Sequence, residues 1–322
     1  MKVAVLGGGR SSEHDVSRAS AASVVTGLQE AGHEVVAVDL ARDGGWSSGG
    51  RELALHPGAG LLDADVVFPA LHGPFGEDGT VQGLLELLDV AYVGSGVLAA
   101  AACMDKVVFK DLMAHDGRIP QVGYWLVDEP GGRPAGVTYP CWVKPSRLGS
   151  SVGITRVDAP EDLDRAIAEA MRHDARVIVE QSAAGLEIEC AVLGHTTAAT
   201  ASEPGEIVLK TDSGWYDYEA KYTSGGMELV VPARISATAR ARVQDLALVA
   251  FRAAGCSGLA RADFFIDGET VLLNELNTMP GFTPTSVYGK LWAASGLAYP
   301  QLCDRLVQIA AERYAAERAL VF

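Results

Sequence analysis

"VLLNELNTMPGF", residues 271–282, starts as an apolar strand and ends on Pro280 and Gly281. Glu275 and Asn277 stand two residues apart in it, so alternation along a strand points both side chains the same way. Two oxygen-bearing side chains on one face at the end of a buried strand either reach solvent or hold something. Upstream, "LARADFFID" (259–267) reads as the partner strand of a hairpin that turns around Gly268 and Glu269. Arg261 and Asp263 share one face of that strand. A turn of odd length makes the two faces coincide, whereas a two-residue turn puts them on opposite sides. Where they coincide, two carboxylates, an amide oxygen and a guanidinium meet. Three oxygen ligands suit a hard cation such as Mg²⁺. The plainer reading is polar residues at strand ends with an incidental Arg–Asp pair.

A second unusual stretch is "VKPSRLGSSVGI" (143–154), with Gly149, Ser150, Ser151 and Gly153 between two strands. Glycine lets backbone N–H groups approach phosphate oxygens. The segment is not a Walker loop, since G-x-x-x-x-G-K-[ST] is absent and a strand follows. A tight hairpin turn is the commoner cause of such a run. Lys144, inside the apolar "PCWVKP", requires an anionic partner if that strand is buried. Lys106 and Lys221 are further candidates, though each alone more often reads as a solvated surface lysine.

The rest of the chain frames these segments. "KVAVLGGG", then a helix from "SSEHDVS" to Gly32, then "EVVAVDL" give strand–helix–strand, the start of a parallel α/β unit. Ser12 with Asp15 resembles a capping box, and Gly32 suits the helix stop. A strand at "ADVVFPAL", a helix near 80–88 and one long helix near 97–115 follow. Later come "APEDLDRAIAEAMRH" as an amphipathic helix and "ARVIVEQSAAGLEIECAVLG" as two strands around a turn. Residues 202–227 read as a long polar loop, and helices are expected at "SATARARVQDLALVAFRAAG" and from about 299 to 318.

The 322 residues suffice for two or three domains, and 48% hydrophobic against 21% charged residues leaves ample core. A net charge of −15 argues against nonspecific nucleic-acid or anionic-membrane binding. The five cysteines form no metal or redox spacing and read as buried or half-buried free thiols of a reducing, cytoplasmic compartment. No apolar run approaches the length of a membrane span.

Taken together, "GGGRSSEHDVS" (7–17), "LHGPFGEDGTVQG" (71–83), "MDK" (104–106), "VKPSRLGSSVG" (143–153), "WYDYEAKY" (215–222), "RADFFID" (261–267) and "NELNTMPGFTPTS" (274–286) closely resemble the D-alanine–D-alanine ligases of the ATP-grasp superfamily. The resemblance spans nearly the whole chain. It implies an α/β chain, α+β in its C-terminal half, in three α/β domains at 1–103, 104–185 and 186–322, with ATP between the central and C-terminal ones. It also implies ATP and Mg²⁺ or Mn²⁺, as two ions, leaves a monovalent cation open, and suggests a cytoplasmic homodimer with no nucleic-acid or membrane partner.

The implied reaction joins two D-alanines through a D-alanyl phosphate. By resemblance, Asp263, Glu275 and Asn277 hold the metal, and Lys106, Lys144, Ser151, Glu180, Glu187 and Lys221 bind ATP. Glu13, Ser150, Tyr222, Arg261 and Gly281 are implied in catalysis. Glu13 would pair with the first substrate's ammonium, beside His72, and Ser150 and Tyr222 would link to Glu13 under a lid. Arg261 and the Gly281 N–H would stabilise the oxyanion, with Ser286 and Val287 at the second substrate. Tyr222 favours dipeptide over depsipeptide, and the small Val287 favours D-alanine over D-serine. "VLKTDSGW" (208–215) departs from the shorter, more acidic family form. A superfamily ligase with a different second substrate, such as D-serine or D-lactate, and a noncatalytic nucleotide-binding protein are the alternative readings.

Overall fold

The structure, a computed structural model, describes residues 1–210 and 226–321. Its strands form three sheets, taken up in chain order. The first begins with β1 (Lys2–Gly8), α1 (His14–Glu30) and β2 (Glu34–Leu40), continues through β3 (Trp46–Ser48), β4 (Arg51–Glu52) and β5 (Val66–Pro69), and closes with α2 (Thr80–Leu88) and β6 (Ala91–Tyr92). The order is β4-β3-β2-β1-β5-β6, parallel from β2 to β6 with β3 and β4 antiparallel at the edge. β1 is apolar without alternation because its parallel position buries both faces. The expected Ser12–Asp15 cap of α1 does not form: Glu13 takes the cap position with no side-chain capping bond. The stop at Gly32 does form, with the Gly32 and His33 N–H groups donating to Gln29 and Leu28.

The long helix expected near 97–115 is two helices, α3 (Val97–Met104) and α4 (Lys106–Asp116). Asp105 breaks it: its backbone is extended, and its carboxylate accepts from the Val107 and Val108 N–H groups at 3.1 and 3.2 Å. A four-stranded antiparallel sheet follows, β7 (Tyr124–Val127), β8 (Cys141–Pro145), β9 (Thr155–Val157) and β10 (Val177–Gln181), in the order β7-β10-β8-β9. α5 (Leu163–Ala170) covers it with Leu163, Ala166, Ile167 and Ala170. That spacing is the buried stripe of an amphipathic helix.

The third sheet holds β11 (Leu186–His195), β12 (Ala198–Ala201), β13 (Gly205–Leu209), β14 (Met227–Val230), β15 (Gly258–Asp267) and β16 (Thr270–Asn277). The order is β14-β13-β11-β15-β16, with β12 also on β11, and α6 (Ala237–Ala253) packs on one face. The two strands around "SAAG" are therefore not a hairpin, since β10 and β11 belong to different sheets. Within the stretch read as a polar loop, the branched apolar residues of "GEIVL" form β13, and 211–225 lie outside the described residues. α7 (Val287–Ala294) and α8 (Tyr299–Arg318) complete the chain. One apolar cluster runs from Val24 and Leu28 of α1 through Phe68 of β5 to Leu302 and Leu306 of α8. Phe282 sits edge-on to Phe68 at 5.2 Å, which fixes the loop after β16 against the first sheet. All five cysteines are buried free thiols. Among the described residues no helix is long and apolar enough to cross a membrane.

Candidate active site

A cleft of about 520 Å³ lies where the three sheets converge. The β15–β16 hairpin forms one wall. Its turn is the two-residue kind, with Asp267 opposite Thr270, and this alone would set Asp263 across from Asn274. A bulge intervenes: Phe264 pairs with Leu273 and Asp263 with Glu275, leaving Asn274 extra. From there Arg261 faces Asn277, so all four polar side chains share one face, and all four line the cleft. The even turn expected to separate them is compensated by one inserted residue. Leu276 meanwhile joins the buried face.

Arg261 lies forked on Asp263, Nε to Oδ1 and Nη2 to Oδ2 both at 2.7 Å, and its Nε is 3.1 Å from Glu189. The Asn277 amide oxygen accepts the Met279 N–H at 3.2 Å and keeps a second lone pair. Two carboxylates and an amide oxygen on one face are an all-oxygen donor set that fits a hard divalent cation. Among the described residues no cluster of three or more His, Cys, Asp or Glu offers a metal site of another kind.

The central sheet supplies the opposite wall. Lys144 of β8 pairs with Glu180 on the adjacent β10, which gives it the anionic partner its apolar setting requires. The other Glu180 oxygen meets Lys110 at 3.1 Å. Burial opposes ionisation of Glu180, but the two lysines outweigh it and hold its carboxyl at about 2. Burial likewise works against the Lys144 charge, and Glu180, Glu275 and Glu187 together raise its pKa. Lys106 donates to the Leu148 carbonyl at 2.8 Å, tying α4 to the glycine loop. Ser151 and Glu187 line the same cleft.

The glycine loop meets the first sheet at Glu13, whose carboxylate accepts from the Ser150 hydroxyl. Ser150 and Ser151 both have positive φ, 53° and 59°. Gly73, at φ 71°, brings the "HGPFGEDG" loop against the same carboxylate: a Cβ there would lie 2.7 Å from Glu13 Oε2. His72 is buried between Ser20 Oγ at 2.9 Å and Glu77 at 3.3 Å. Burial lowers its pKa, yet the bond to Glu77 and the charges of Glu77 and Glu13 raise it overall. Ser20 also accepts the Phe282 N–H at 3.2 Å, which links this cluster to the segment after Gly281. A Cβ on Gly281 would stand 2.7 Å from Ser286 Oγ, so only glycine fits without moving that hydroxyl. Ser286 precedes the first residue of α7, Val287, which is buried.

Lys221 and Tyr222 lie outside the described residues. The other expected residues all line this cleft. Sequence reading missed Lys110, Glu77, Glu189 and Ser20. Lys110 could have been found as the residue one helical turn after Lys106, between the apolar Phe109 and Met113. Glu77 sits in a loop already singled out. Glu189 alternates with Glu187 and so shares its face. Nothing local marks Ser20, whose role comes from contacts made over long sequence distances.

The family model described as D-ala D-ala ligase C-terminus matches residues 133–308, and that of D-ala D-ala ligase N-terminus matches residues 2–60 and 51–95. The chain is 45% identical to a D-alanine–D-alanine ligase of Deinococcus radiodurans, over 97% of this chain and 98% of the relative. Its structure is similar to that of the D-alanine–D-alanine ligase from Coxiella burnetii, with a TM-score of 0.87, 34% identity, and 99% and 96% of the two chains covered. It is also similar to the VanG D-Ala:D-Ser ligase from Enterococcus faecalis, with a TM-score of 0.84, 34% identity, and 96% and 99% covered.

Proposed function

This chain belongs to the D-alanine–D-alanine ligase family, with its ATP-grasp fold, and on that premise we propose which residues carry each step. The enzyme uses ATP to join two D-alanines into D-alanyl-D-alanine through a D-alanyl phosphate, for peptidoglycan precursor synthesis. In the first step a D-alanine carboxylate oxygen attacks the γ-phosphorus of ATP and ADP leaves. In the second, the amine of the other D-alanine attacks the acyl carbon, loses a proton, and phosphate leaves.

Glu13, fixed by Ser150, receives the ammonium of the first D-alanine. His72, held between Ser20 and Glu77, sits beside the first substrate. Lys106, Lys144 and Lys221 line the phosphates, the Ser151 backbone covers them, and Glu180 and Glu187 meet the adenine and ribose side. A carboxylate suits a ribose diol because it only accepts. Asp263, Glu275 and Asn277 would hold the divalent metal, Mg²⁺ or Mn²⁺ as two ions, which would supply positive charge to the phosphates. A monovalent cation is a further candidate. Arg261 and the Gly281 N–H stabilise the tetrahedral oxyanion of the second step. The N-terminus of α7, with Ser286 and Val287, receives the second substrate's carboxylate. The small Val287 favours D-alanine there. The resemblance assigns Tyr222, outside the described residues, to the lid that would exclude water from the acyl phosphate. The domains divide at 1–103, 104–185 and 186–322, and the enzyme works as a cytoplasmic homodimer.

The observation that carries this reading is a single cleft that sets Asp263 opposite Glu275 and Ser150 on Glu13. Phosphate release from MgATP with D-alanine, L-alanine or no amino acid, with the product identified by mass, tests it. D-alanine-dependent release of the dipeptide is expected. Nucleotide binding without that release would overturn the assignment.

A further inference from the structure

Lys110 is 1% exposed and the Glu180 side chain 3%, and each has a charge that burial penalises. The lysine ammonium has three donors to satisfy. One meets Glu180 Oε1 at 3.1 Å, one reaches the Asn274 carbonyl at 3.4 Å, and the Tyr124 ring face lies 5.8 Å away. Asn274 is the inserted residue of the β16 bulge. Two more bonds tie α4 to β16 through the segment after the helix: the Gln121 amide donates to the Lys110 carbonyl at 3.0 Å, and the Leu273 N–H to the Pro120 carbonyl at 2.8 Å.

Lys144 takes the other Glu180 oxygen. With Lys144 alone, the carboxylate would neutralise the lysine beside it that faces the cleft. With Lys110 behind it, the three groups carry a net charge of +1, and the exposed member is Lys144, 14% accessible against 1% for Lys110. We propose that Lys110 is a positioning residue for nucleotide binding: a buried counter-charge that fixes Glu180, leaves the charge of Lys144 directed at the phosphates, and fastens the bulge that turns Glu275 toward Asp263. The proposal rests on the nucleotide reading of this cleft. Lys110 touches no substrate and acts through Glu180 and Asn274.

The test is calorimetric titration of the full chain with MgADP, which needs no turnover, together with KM for MgATP and for D-alanine. Lys110→Met is expected to weaken MgADP binding by about tenfold or more, raise KM for MgATP in parallel, and leave both D-alanine KM values within about twofold. Lys110→Arg, which keeps the charge, should recover most of the affinity. A merely structural lysine would lower the melting temperature without separating the nucleotide from D-alanine. Should Lys110→Met fail to fold, as a stranded buried carboxylate can cause, Lys110→Gln takes its place under the same criterion. A folded variant with unchanged MgADP affinity, beside a wild type that binds normally, overturns the role of Lys110 alone. A wild type that binds no nucleotide overturns the reading of the cleft and this proposal with it.

Discussion

Asp263 and Glu275 face each other across β15 and β16 because Asn274 is inserted between Glu275 and the turn. Strict alternation from Val271 and Leu273 would have carried Glu275 and Asn277 onto the apolar face. Both carboxylates instead enter one cleft, so neither substitutes for the other. Asp263→Asn and Glu275→Gln should each lower turnover by about 10²–10³-fold, a loss of several kcal/mol of charge stabilisation. Titrating ADP formation against Mg²⁺ checks this, and a half-saturating Mg²⁺ concentration equal to that of the wild type would remove that carboxylate from the metal site.

Ser150 combines strain with function. Its φ of 53° costs a non-glycine residue about 1–2 kcal/mol, while its hydroxyl donates to the Glu13 carboxylate. Ser150→Gly relieves the first and removes the second. Thermal stability should rise slightly while turnover falls about 10–100-fold, the range of a hydrogen bond to a charged group. The decisive comparison is Ser150→Ala, which loses the bond without relieving the strain: turnover should fall as far, with no gain in melting temperature.

Much of this was legible in the sequence where one residue type has one physical explanation. Lys144 within "PCWVKP" demanded an anion, and Glu180 supplies it. The hairpin was legible too, but its register was not: turn length alone gives the wrong face, and a bulge leaves no mark in an alternating pattern as short as "VLLNELN". The break at Asp105 was hidden because flanking helical residues outweigh one aspartate until its carboxylate is seen capping Val107 and Val108. Ser20 and Lys110 act through contacts that only the assembled sheets create.

Gly281 tests the second-substrate end. An added methyl would stand 2.7 Å from Ser286 Oγ, the end of a short side chain that can rotate away. Gly281→Ala should therefore fold. It should displace the Ser286 hydroxyl and raise KM for the second D-alanine about tenfold, the worth of roughly one hydrogen bond. KM for the first D-alanine should stay within about twofold, because that substrate is assigned to Glu13 and its Ser150 partner rather than to Ser286. Equal increases in both constants would mean that Ser286 does not serve the second site.

The Glu180 cluster sets an acid limit on stability. The carboxyl titrates at about 2 in the folded chain against 4.5 for an unperturbed glutamate, because Lys110 and Lys144 outweigh its burial. A depressed folded pKa gives stability that is fully present above the unfolded value and is lost as pH falls toward the folded one. The window is therefore pH 4.5 down to about 2. Across its middle one extra proton binds on unfolding, which contributes a slope of about 1.4 kcal/mol per pH unit. Glu180→Gln removes that proton. The variant should be the less stable chain at neutral pH, since buried Lys110 and half-buried Lys144 lose their partner, and the gap should narrow steadily below pH 4.5. Urea denaturation of both chains across this range measures the gap, and a constant difference would show that Glu180 is not the group that titrates.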